Sequence, residues 1–146
     1  MHIPFQFSKK RIADEFNSPD LNVKIVGQLI DAYCHCIENF KDCWVTVSHI
    51  YRTQIQQNEF YKHIPKEDRP KSVHQFWRGL DFQVFHSDGR HFTKAEYKDL
   101  ENYLNSRWEY FGKAGAKTAM AHSVVGGTHI HLQAGWADAS KKEGVQ

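Results

Sequence analysis

The sequence predicts an α+β domain, a small antiparallel sheet that carries the functional site and packs against two main helices. Two long segments repeat apolar residues every three or four positions, several short ones alternate apolar with polar residues, and Gly, Pro and Asp clusters separate them. At 146 residues the chain has the size of one domain. Its 40% apolar and 14% aromatic content supplies enough surface to bury against the chain entropy lost on folding. A single domain over residues 1–146 is therefore expected, with 1–22 and 137–146 at its periphery and no internal repeat.

From about Val23 to Phe40, Ile25, Leu29, Ile30, Tyr33, Ile37 and Phe40 fall at helical spacing and predict the first core helix. CWVTVSHI, Cys43 to Ile50, alternates and is rich in β-branched residues, which predicts a strand running toward Tyr51, Arg52 and Thr53. A short helix is expected from Gln54 to His63, followed by the exposed loop IPKEDRPKS. GLDFQVF, Gly79 to Phe85, reads as a strand bearing Asp81, and SDGR, Ser87 to Arg90, as a turn. Thr93 and Glu96 form a capping box. The periodic residues Tyr97, Leu100, Leu104, Trp108 and Phe111 then predict a helix reaching Gly112. Gly115 to Trp136 reads as two strands joined at Gly126-Gly127, with His129 and His131 on one face of the second.

A formal net charge of +2 argues against a nucleic-acid footprint or a membrane-surface patch. No apolar run has the length of a membrane span, and MHIPFQFSKKRIADEF lacks the order of a signal peptide. The expectation is a monomer that is cytoplasmic as synthesised. Cys34, Cys36 and Cys43 are odd in number and clustered, unlike a disulfide framework. Ten histidines are many for this length, and neutral imidazole is the commonest metal ligand.

A catalytic zinc site takes three protein ligands and keeps one position open. His74, Asp81 and His131 supply that number, in the pattern H-x6-D followed by H-I-H. Two imidazoles on one strand face are costly unless solvated, hydrogen-bonded or metal-bound. SHIYRT at Ser48 to Thr53, SVHQFWRGLD at Ser72 to Asp81 and THIHLQ at Thr128 to Gln133 stand in one order along more than half the chain.

In that order and spacing the chain resembles the zinc D-Ala-D-Ala carboxypeptidases and phage endolysin peptidases, a superfamily that includes the murein endopeptidases and the hedgehog domain. The resemblance implies that His74, Asp81 and His131 bind Zn²⁺, that His129 is an unligated imidazole beside it, and that Arg52 faces the substrate with Ser72 and Trp77 nearby. It also implies hydrolysis of peptide bonds in bacterial peptidoglycan, as by a phage-encoded enzyme released to the cell wall. The chain differs from the carboxypeptidase branch at Trp77 and Gly79, where that branch has Gly and Ala. It has Thr128 where that branch places its general-base glutamate. His129, and after it His122, are the candidate bases, because a histidine near neutrality can take a proton from zinc-bound water.

Other readings stand beside this one. His129-Ile130-His131-Leu132-Gln133 also looks like the H-x-H-x-Q of histidine-triad nucleotide hydrolases and transferases, though that family explains neither YRT nor His74-x6-Asp81. H-I-H could belong to a replication-initiation nuclease, but no Tyr follows it. A catalytically inactive, zinc-stabilised binding domain is the non-enzymatic alternative. Cys34-His35-Cys36 with Cys43 reads as structural thiols, and His86 and His91 as parts of an ordinary turn. Of Trp44, Trp77, Trp108 and Trp136, Trp77 is the best candidate to line a cleft, because it stands between two ligands.

Overall fold

The computed structural model describes residues 5–124 and 127–135. Strands β1 (Phe5–Phe7), β2 (Trp44–His49), β3 (Gly79–Phe85), β4 (Ala119–Val124) and β5 (Gly127–Gln133) form one sheet in the order β1-β2-β3-β5-β4. The α+β class is as expected. The sheet is mixed, however, because β1 lies parallel on β2 while the other pairs are antiparallel. Three residues are too few for alternation to be legible. What fixes β1 is aromatic packing: Phe5 meets Phe16 and Tyr33 edge-on, and Phe7 meets Phe16. Helix α1 (Lys10–Phe16) buries Ile12, and Leu21 is buried after it. Within residues 5–22, Ile12 and Leu21 thus enter the core and Phe5, Phe7 and Phe16 pack against it, while most of the segment stays at the surface. The expected hairpin tip at Gly126, Trp136 and the tail 137–146 fall outside the described residues.

Helix α2 (Val23–Phe40) has the predicted span and starts where the Asn22 side chain accepts from the Lys24 amide. Its buried stripe is Ile25, Gln28, Leu29, Ala32 and Cys36, while Ile30 and Ile37 are exposed. The inward row is set by i, i+3 and i+4 neighbours, and it admits small and polar residues that a count of large aliphatics overlooks. Helix α4 (Lys94–Arg107) begins with the predicted capping box at Thr93 and Glu96. It stops before Gly112 because Trp108 turns extended: its indole Nε1 donates to Asp31 on α2 at 2.8 Å and its carbonyl accepts from Thr118 Oγ1 at 2.8 Å. Helix α3 (Gln54–Phe60) ends at Tyr61, short of His63.

Helices α2 and α4 pack on each other and on β5, and α1 packs on β1 and β2. Val45, Val47, Leu80, Phe82, Val84, Ile130 and Leu132 meet Ile25, Leu29, Tyr97, Leu100 and Leu104 in one core. Each fully buried aliphatic or aromatic side chain there stabilises the fold by roughly 1.5–3 kcal/mol. Strand residues between these core positions, among them Asp81, Gln83, His129 and His131, take the opposite face of the sheet by the two-residue period.

Candidate metal centre

Strands β3 and β5 pair in a register that sets Asp81 directly opposite His131. Both stand on the face away from the core. The His131 Nδ1 lies 2.8 Å from Asp81 Oδ1. His74 arrives from outside the sheet, on a short 3-10 helix, Val73–Phe76. Ser72 starts that helix: its hydroxyl accepts from the His74 amide, and the Gln75 side chain accepts from the Ser72 amide. The Arg52 amide donates to the His74 carbonyl at 3.2 Å, tying the helix to the segment that leaves β2.

Two backbone features seat the 3-10 helix against β3. Trp77 takes a left-handed conformation with φ 58°, which reverses the chain. Gly79 then passes so close that a Cβ there would stand 2.7 Å from Val73 Cγ2 and 3.0 Å from His74 Nδ1. That Nδ1 donates to the Ile50 carbonyl at 2.7 Å, since a carbonyl can only accept. Nε2 is left facing Asp81 Oδ1 at 3.3 Å. A second-sphere carbonyl bond of this kind fixes tautomer and ring plane in metal-binding histidines.

One ligand atom from each of His74, Asp81 and His131 lies within 4.8 Å of the others, and this group can hold a metal ion. Donors about a tetrahedral zinc, each roughly 2.0–2.1 Å from it, stand roughly 3.3 Å apart. The His74 to Asp81 separation matches that spacing, and the shorter Asp81 to His131 pair closes as a hydrogen bond. Burial alone would raise the Asp81 carboxyl. The charge of His74 and the hydrogen bonds of His131 and His74 outweigh it and hold Asp81 well below the usual carboxylate range. It is an ionised oxygen donor.

The other predicted residues separate into those at the site and those that serve it from outside. His129 Nε2 is 3.9 Å from Asp81 Oδ2. Burial pulls it below the ordinary histidine value; Asp81 opposes this, and His122 and His131 add to it. His122, exposed on β4, pairs with His129, with ring centres 5.7 Å apart and 5.9 Å from His131. A cleft of about 770 Å³ opens over the triad between Arg52, Phe60, Tyr61 and Lys71 on one side and Met120, His122 and Val124 on the other. Arg52 is half-buried there, over the Phe60 ring at 4.7 Å, with Nη1 donating to Gln57 at 2.8 Å. Ser72 lines the same cleft. Trp77 does not: its left-handed backbone turns the indole onto Tyr51, stacked at 4.4 Å, and against the core.

Gln57 and His49, which the sequence did not single out, also belong here, as does Gln133, named there only as the Gln of H-x-H-x-Q. Gln57 is buried and holds Arg52. Gln133 Oε1 lies 3.4 Å from His131 Nε2, and its amide donates to the Lys117 carbonyl. His49 meets His74 edge-to-face at 4.6 Å, and burial, with His74 adding, lowers its pKa to about 3. A β-bulge beyond Val47 places His49 opposite Asp81. Strict alternation would have sent it to the core side with Val45 and Val47, so only the bulge reveals it. Away from the site, Cys36 and Cys43 are buried free thiols and Cys34 is exposed. His86 contacts Glu96, and His91 contacts the Tyr97 hydroxyl.

No protein-family model, curated protein or solved structure matches the chain. Among the described residues no helix is long and apolar enough to cross a membrane.

Proposed function

We propose that the protein is a zinc-dependent metallopeptidase that hydrolyses peptide bonds in bacterial peptidoglycan, as a D-Ala-type carboxypeptidase or an endopeptidase. The observation that carries this is the convergence of His74, Asp81 and His131 at the floor of a cleft that also holds a free imidazole and a cation. Two imidazoles and one carboxylate are a donor set that suits zinc, and three protein ligands leave a position for water. The amide and peptidoglycan assignments come from the resemblance of the three motifs.

A bound zinc ion would supply Lewis acidity, polarising the scissile carbonyl and making water a nucleophile near neutral pH. The chain's own residues supply the rest. His129, kept neutral by burial and standing 3.9 Å from Asp81 Oδ2, accepts the proton from the attacking water and returns it to the leaving amine. Arg52, oriented by Gln57, holds a substrate carboxylate or the developing oxyanion. Phe60, Met120 and Val124 give the cleft apolar walls against which a substrate can pack.

The test is digestion of purified peptidoglycan by zinc-loaded protein, by chelator-treated protein and by His131→Ala, with the muropeptides resolved by mass spectrometry. New peptide termini from the loaded wild type alone support the proposal. A zinc-loaded wild type that releases none from any peptidoglycan type would point to the binding-domain alternative.

A further inference from the structure

Resting on the metal-site proposal above, we infer that His49 is a positioning residue for His74: the shape of its ring, not a hydrogen bond from its Nε2, clamps the His74 imidazole so that the Nε2 of His74 stays turned to the cleft. The bulge beyond Val47 delivers His49 into register with Asp81. There its ring stands at 73° to that of His74 with centres 4.6 Å apart.

His74 is held at Nδ1 by the bond to Ile50 and at Nε2 by Asp81 Oδ1, 3.3 Å away. Two points on one ring still leave it free to tilt about the line that joins them. The His49 ring blocks that motion, and Gly79, with no room for a Cβ before His74 Nδ1, bounds another side. The His49 Nε2 is buried and has no hydrogen-bond partner among the described residues. Nε2 makes no bond that an aromatic CH would have to replace, and left buried and unpaired it costs desolvation, so the ring's shape is what His49 offers to His74 on that side. Supports of this outer kind commonly tune metal affinity ten- to a hundredfold.

The test compares His49→Phe and His49→Ala with wild type, first without metal. In ¹⁵N-edited imidazole spectra the His74 Nδ1 proton should be protected from solvent exchange in wild type and in His49→Phe. In His49→Ala it should exchange at least about tenfold faster, with circular dichroism unchanged. Zinc affinity by chelator competition should be within about threefold of wild type in His49→Phe and weakened roughly ten- to a hundredfold in His49→Ala. Wild-type protection in His49→Ala, or loss in His49→Phe equal to that in His49→Ala, would overturn the inference. Should His49→Ala not fold, loss of the protected proton in a folded His49→Phe overturns it and retention supports it. The expected proton pattern in a protein that binds no zinc would leave the clamp standing and refute the metal site instead.

Discussion

Asp81 faces three imidazoles, and its neighbours divide the work around it. His74 and His131 present nitrogens to the same carboxylate oxygen, whereas His129 stands off at 3.9 Å. His129→Ala should therefore keep its zinc while losing roughly a hundred- to ten-thousandfold in turnover, the range general acid–base catalysis supplies. Metal analysis beside kinetics checks this, and zinc loss in parallel with His131→Ala would make His129 a ligand. Gly79→Ala tests the close approach behind His74. A methyl 2.7 Å from Val73 must displace the 3-10 helix, so the variant should lose about 1–3 kcal/mol of stability and bind zinc more weakly, measured by urea unfolding and metal titration. Gln28 tests the core. Its amide is fully buried with no partner among the described residues, so Gln28→Met should raise stability by about 1–2 kcal/mol. At this scale the three candidate donors were legible for different reasons: alternation puts His131 on the site face of its strand, whereas His74, on a 3-10 helix outside the sheet, was reached only through the resemblance of the motif order. His49 was not, because a bulge breaks that alternation.

The junction of α2 and α4 turns on Asp31, which accepts from Tyr103, Arg107 and Trp108. Burial would raise its pKa, but the Trp108 and Tyr103 bonds and the Arg107 charge together lower it from the ordinary 3.8. A carboxylate depressed in the folded state contributes stability that is full above its unfolded value and lost as pH falls through the folded one. Asp31→Asn should accordingly cost about 1–2 kcal/mol near neutral pH, and the gap to wild type should shrink below about pH 4. Urea unfolding at both pH values checks it, and a gap that widens in acid would refute it. Trp108 shows why the start of α4 was legible and its end was not. The capping box is a local signal, whereas termination depends on a side chain of another helix. The outer edge of β4 is likewise closed from a distance, by Asn105 on Ala119 and Glu101 on the Ala121 amide.

The molecule puts its two needs on the two faces of one sheet. One face is apolar and covered by helices; the other holds His49, Asp81, His129 and His131 beneath the cleft. The class of fold was legible from two periodicities, but the parallel β1 and the burial of Ile12 were not, since pairing and packing with residues distant in sequence accompany both. Exchanging Cys34, Cys36 and Cys43 together for Ser should leave metal content unchanged, because the two buried thiols belong to the core and not to the donor group. The most direct test of the whole account is the zinc content of purified wild type, His74→Ala, Asp81→Ala and His131→Ala, by elemental analysis on folded protein. The three convergent donors predict about one equivalent in wild type and an emptied site in each variant. Full zinc retention in both His74→Ala and Asp81→Ala would contradict it.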